Sequence, residues 1–152
     1  MKVNFDEAIF EDLRAAGIGV AVRNEHGEVV AALAEQIPIL DYVFTLETLA
    51  ASRVVLFVQE LGLHNVVFEG DSESSIQAIS NRLLSHSSCG HIIHDILRFA
   101  SSFQSFSFSY VCRQGNALAD ALAKRVRLSC PLLDSIPPNL YNCYLSDFSL
   151  FN

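Results

Sequence analysis

Three stretches with the period of a β-strand follow one another between residues 2 and 35, before any helical pattern begins. Residues 2 to 9 alternate, with Val3, Phe5 and Ile9 on one face and Asn4 and Asp6 on the other, which is the two-residue repeat of a strand. Gly17-Ile18-Gly19-Val20-Ala21-Val22-Arg23 reads as a second strand and Glu28 to Glu35 as a third. Asn24-Glu25-His26-Gly27 between them reads as a hairpin turn, with Gly27 supplying the positive φ such turns need. Consecutive strands joined in this way form an antiparallel meander.

After Pro38 the period changes. Asp41 to Thr45 leads into a long helix with Thr45 as its N-cap and Gly62 as its stop, residue types suited to those ends. Leu46, Ala50, Val54, Phe57 and Leu61 recur at helical spacing as its core face. Asn65 to Gly70 is a short apolar run, read as a strand buried on both faces and parallel to a neighbour. A second helix is predicted from Ser72 to Leu84, a polar loop over Ser85 to Ser88, and a third helix from Gly90 to Ser101. Ile92, Ile93, Ile96, Leu97 and Ala100 form the apolar stripe of that third helix. Phe106, Phe108 and Tyr110 alternate with Ser105, Ser107 and Ser109, the clearest strand in the chain. Arg113-Gln114-Gly115 reads as a loop, and Asn116 as the cap of a last helix reaching Leu128. The order βββαβααβα predicts an α/β fold with a mixed sheet covered by helices. Residues 1–128 are expected to form one domain. Residues 129–152, with three of the four prolines, are expected to be an irregular tail.

At 152 residues, 51% apolar and 18% charged, the chain has the composition of a single globular domain. Its formal charge of −7 counts against tight, non-specific phosphate binding. It does not exclude a metal-dependent nuclease, because bound cations supply positive charge where the phosphate sits. Cys89, Cys112, Cys130 and Cys143 form no Cys-x-x-Cys pair and have no histidine at zinc spacing, so they read as reduced, mostly packed thiols. The N-terminus lacks the apolar run of a signal peptide. No segment reaches the roughly 20 apolar residues of a membrane span. The expectation is an intracellular chain, nuclear or cytoplasmic and not secreted, with no membrane partner and monomeric.

Four acids come from four different predicted elements: Asp6, Glu47, Asp71 and Asp120. Each has a bland reading. Asp6 could face solvent from a strand that disfavours Asp. Glu47 could match the dipole at a helix N-terminus. Asp71 could cap the second helix through the amide of Ser74, and Asp120 could pair with Lys124 four residues on. Together they read differently. Clustered carboxylates stay ionised only beside compensating positive charge, hard divalent cations want oxygen ligands, and carboxylate-held metal pairs serve phosphodiester chemistry. His86, His91, His94 and Asp95 offer a weaker metal reading against that of a solvated helix face.

The chain resembles the ribonuclease H type 1 domain, in the plant branch related to the RNase H-like region of non-LTR retrotransposon polyproteins. The resemblance rests on Lys2 to Asp6, Gly17 to Asn24 with Gly27, Glu47 to Ala51, Val67 to Ser72, Val111 to Lys124 and Leu133 to Pro138. It implies a ribonuclease H-like fold, a five-stranded mixed sheet with helices on both faces. It implies that Asp6, Glu47, Asp71 and Asp120 are catalytic ligands for two Mg²⁺ or Mn²⁺ ions. The implied activity is endonucleolytic hydrolysis of the RNA strand of an RNA–DNA hybrid, with Asn116 and Arg113 as candidate substrate contacts. The chain also departs from the family pattern. Glu7 stands where glycine is usual, adding negative charge beside the site. The loop Cys112-Arg113-Gln114-Gly115 lacks the histidine of bacterial-type enzymes, and residues 80 to 96 hold only Arg82 as a fixed cation where those enzymes carry a basic handle. These departures favour the alternative, a retrotransposon-derived module that binds nucleic acid or a protein without cutting.

Overall fold

The computed structural model describes residues 1–39, 43–82 and 89–128. The expected tail over 129–152 and the expected polar loop over 85–88 lie outside the described residues.

The meander forms as expected: β1 (Lys2–Phe10), β2 (Ala15–Arg23) and β3 (Val29–Pro38) pair antiparallel in sequence order. Gly27 turns the β2–β3 hairpin at φ +80°, and its N–H donates to the Asn24 carbonyl at 3.1 Å. Pro38 does not break β3 but ends it, opposite Ala15. Strand β3 is the outer strand of the sheet, where a residue without an N–H is tolerated.

Helix α1 (Val43–Glu60) begins before Thr45, so Thr45 is helical and not its cap. Leu46, Ala50, Val54 and Phe57 are buried as the spacing predicts, whereas Leu61 is exposed because it lies past the last turn. Gly62 ends the helix at φ +70°, its N–H donating to the Gln59 carbonyl. Strand β4 (Asn65–Gly70) runs parallel to both β1 and β5 (Ser105–Tyr110). The sheet order is β3-β2-β1-β4-β5.

Helices α1, α2 (Glu73–Ser80) and α3 (Gly90–Ala100) cover one face, packing on Val3, Phe5, Val20, Leu33 and Phe68. Phe68 stacks on Phe108 with ring centroids 4.9 Å apart. Helix α4 (Ala117–Arg125) covers the other face through Leu118 and Leu122, against Phe10, Ala21, Ala32 and Ala34. The helix reaches the sheet closely because β2 presents Gly17 and Gly19. A β-carbon on either would run into the backbone carbonyl of Ala123 or Ala119.

This layering decides between two readings of β1 and overturns one burial expectation, for β4. Strand β1 has helices on both faces, so Asn4 and Asp6 are buried alongside Val3 and Phe5, while Ile9, near the strand's far end, is exposed. Strand β4 is buried on one face only: Val66 and Phe68 are inside, but Asn65 and Val67 are open, because α4 lies on β1 and β2 instead. Among the cysteines, Cys89 is buried and Cys112 is exposed in the loop after β5. Cys130 and Cys143 fall outside the described residues. No helix among the described residues is long and apolar enough to cross a membrane.

Candidate active site

The β1–β4 ladder pairs only Lys2 with Val67, Val3 with Phe68 and Asn4 with Glu69. Beyond that the strands part. Continuing the register would set Asp6 opposite Asp71, and these two acids face the split. Glu47 reaches it from the first turns of α1, and Asp120 from the first turn of α4. All four line one cavity of about 400 Å³, together with Glu7, Ser72, Arg113 and Lys124.

Each acid is held differently. Asp6 is only 8% exposed, and its Oδ1 accepts the Glu7 backbone N–H at 2.9 Å. Burial, then the neighbouring Asp71 carboxylate and more weakly Asp120, push its pKa up to about 7, opposed by that N–H and by Lys124. Asp71 does not cap α2. Ser72 does, its Oγ accepting from the Ser75 N–H at 3.4 Å, and Asp71 is left beside the Arg113 Nε at 3.9 Å. Asp120 accepts from Lys124 Nζ at 2.7 Å. Glu47 Oε2 accepts two hydroxyls, Ser72 Oγ at 2.7 Å and Ser75 Oγ at 2.6 Å.

The fifth acid is Glu7. Burial, then Asp6, Glu47 and Asp71, push its carboxyl up to about 8. Five carboxylates here face two cations among the described residues, Lys124 and Arg113. Among the described residues, no three His, Cys, Asp or Glu side chains are drawn together tightly enough to make a ready metal site. An all-oxygen donor set with excess negative charge, two of its members held off ionisation, fits hard divalent cations.

Two residues named from sequence stand elsewhere in the site. Arg113 is almost wholly exposed at the cavity rim. Asn116 is 1% exposed and does not line the cavity. It occupies the N-cap position of α4 without capping it, and its Nδ2 donates instead to the Phe5 carbonyl at 2.8 Å. His91 and His94 are exposed on α3. Ser75 was not singled out from sequence. Its signal was a hydroxyl set among Ile76, Ala78 and Ile79 on the buried face of α2.

Residues 4–126 match the reverse transcriptase-like family. The chain belongs to this family. Solved structures give its fold. The RNase H1 of the archaeon Halobacterium salinarum superposes with a TM-score of 0.73 at 19% identity, over 83% of this chain and 96% of that one. The N-terminal RNase H domain of Rv2228c from Mycobacterium tuberculosis gives 0.69 at 21% identity, over 81% and 89%. LC11-RNase H1, solved in complex with an RNA/DNA hybrid, gives 0.71 at 19% identity, over 84% and 99%. No curated protein sequence matches the chain. This reverse transcriptase-like chain thus has the RNase H fold, a five-stranded mixed sheet with helices on both faces.

Proposed function

We propose that this chain is a metal-dependent endonuclease that hydrolyses the RNA strand of RNA–DNA hybrids. The observation that carries the reading is the convergence of Asp6 in β1, Asp71 just after β4, Glu47 in α1 and Asp120 in α4, four elements far apart in sequence, on one cavity. The fold it shares with LC11-RNase H1, a protein solved with an RNA/DNA hybrid, supports the choice of substrate. Residues 111–124 and 133–138 support the narrower placement in the plant, retrotransposon-related branch.

The residues that would hold two Mg²⁺ or Mn²⁺ ions are Asp6 and Asp71 as shared central ligands, with Glu47 and Asp120 orienting one ion each. Bound cations would supply the charge that activates water for attack on the phosphodiester and stabilises the leaving 3′ oxygen. The chain's own part is to hold the carboxylates in place. Ser72 fixes Glu47, Lys124 holds Asp120, and the Glu7 N–H fixes Asp6. Arg113, exposed at the rim, is placed to meet a phosphate.

The test is cleavage of a labelled RNA–DNA hybrid in Mg²⁺ and in Mn²⁺, with Asp71→Asn beside the wild type. The expected result is metal-dependent cutting of the RNA strand that disappears in the variant. Folded wild-type protein that cuts in neither metal would refute the proposal. One observation favours the second reading, a module that binds without cutting: Glu7 adds a carboxylate where a phosphate would approach. Hybrid binding without cleavage is its expected outcome.

A further inference from the structure

Glu47 and Ser75 are joined by a 2.6 Å hydrogen bond between α1 and α2. Ser75 is 4% exposed and sits on the apolar face of α2, next to Ile76 and one turn before Ile79. A hydroxyl there is costly unless it has a partner, because burying an unpaired polar group loses its bonds to water. It also suits the helix less well than alanine. Its partner is a carboxylate, and a hydrogen bond to a charged acceptor is worth roughly twice one between neutral groups. Ser72 completes the arrangement. Its Oγ reaches the same Glu47 oxygen at 2.7 Å and lies 3.1 Å from Ser75 Oγ.

We infer that Ser75, with Ser72, is a positioning residue that fixes the Glu47 carboxylate for a divalent cation. Both hydroxyls engage Oε2, so neither occupies Oε1, the oxygen left to a cation. The pair does two things. It holds one rotamer of a long, otherwise mobile side chain. It also gives the carboxylate two O–H donors on one oxygen, which fixes the direction in which the other faces. The two serines differ in what else they do. Ser72 also caps α2 through the Ser75 N–H, so its loss would disturb the helix. The Ser75 hydroxyl makes no such cap, which makes Ser75 the cleaner probe. This inference rests on the metal-dependent reading of the site.

The experiment measures thermal melting of the full chain against Mg²⁺ and Mn²⁺ concentration, for wild type, Ser75→Ala and Ser75→Thr. Cleavage kinetics are measured beside it. Loss of a residue that orients a metal ligand weakens metal affinity by about 10- to 100-fold. Ser75→Ala is therefore expected to shift the cation concentration for half-maximal stabilisation upward by on the order of tenfold. KM for the hybrid stays unchanged, kcat falls at subsaturating metal, and high metal restores it. Ser75→Thr, which keeps the hydroxyl, recovers most of the affinity. A Ser75→Ala protein that melts with the wild-type metal dependence overturns the inference while leaving the metal reading intact. A wild type whose melting ignores both cations overturns both.

Discussion

Asn116 donates its side-chain amide to the backbone carbonyl of Phe5 at 2.8 Å, one residue before Asp6. The contact closes the β1 edge just past the last β1–β4 pair, Asn4 with Glu69, where no strand partner supplies an N–H. It also ties the start of α4, and with it Asp120, to the strand that carries Asp6. Asn116→Ala leaves that buried carbonyl unpaired, at a cost of about 1–3 kcal/mol. Urea unfolding is expected to show the loss directly. A midpoint equal to wild type would mean the contact contributes nothing.

Gly19 lets α4 lie against β2, since a β-carbon there would meet the Ala119 carbonyl oxygen. Gly19→Ala must push α4 outward, moving Asp120 away from Asp6. The expected cost is about 1–3 kcal/mol, a drop of roughly 2–10 °C in Tm for a chain of this size. Hybrid cleavage should fall further than stability alone accounts for. A variant that cleaves at the wild-type rate would show that the spacing of α4 from β2 does not set the site.

Asp6 and Glu7 make metal-free stability depend on pH. Their folded pKa values are raised to about 7 and about 8 from ordinary values of 3.8 and 4.5. Between those limits the folded chain binds more protons than the unfolded one, so stability is full below about pH 4 on this account and declines as pH rises through about 8. In EDTA, the urea midpoint should fall from pH 5 to pH 8.5, and Glu7→Gln should flatten the upper half of that decline. Mg²⁺ should restore stability most at the alkaline end, since a cation that binds only the folded state stabilises it. An unchanged slope in Glu7→Gln would remove Glu7 from the account.

Glu7→Gly returns the glycine usual at this position and, above about pH 8 where the Glu7 carboxyl ionises, removes one like charge facing the approaching phosphate. A unit charge at about 4 Å is worth about 1 to 4 kcal/mol between bulk water and a protein surface. Hybrid affinity should therefore rise on the order of tenfold, with the gain shrinking at high salt. Binding titrations above about pH 8, at two ionic strengths, check this; unaltered affinity at both would show that Glu7 does not oppose the substrate.

The order of the elements was legible before any coordinates, because periods of two and of 3.6 residues are local properties of a chain. Val3 and Phe5, the Gly27 turn, the Gly62 stop and the Phe106–Phe108 alternation all stand where those periods put them. The four acids could be named only as a set, since each alone has a place in its own element. Their delivery from four separate elements and their match to the ribonuclease H motifs single them out. Burial, by contrast, depends on what lies across the sheet. That Asp6 is enclosed and Val67 open follows from β1 being central and α4 crossing β1 and β2, and neither strand's own pattern contains that. The cap of α2 went to Ser72 and not Asp71 by a one-residue choice of backbone geometry that residue type leaves open. The bonds of Asn116 to Phe5 and of Ser75 to Glu47 span 111 and 28 residues. Contacts at that range exist only once the sheet, α1, α2 and α4 have packed, so the partners of the site's carboxylates are a product of the tertiary structure alone.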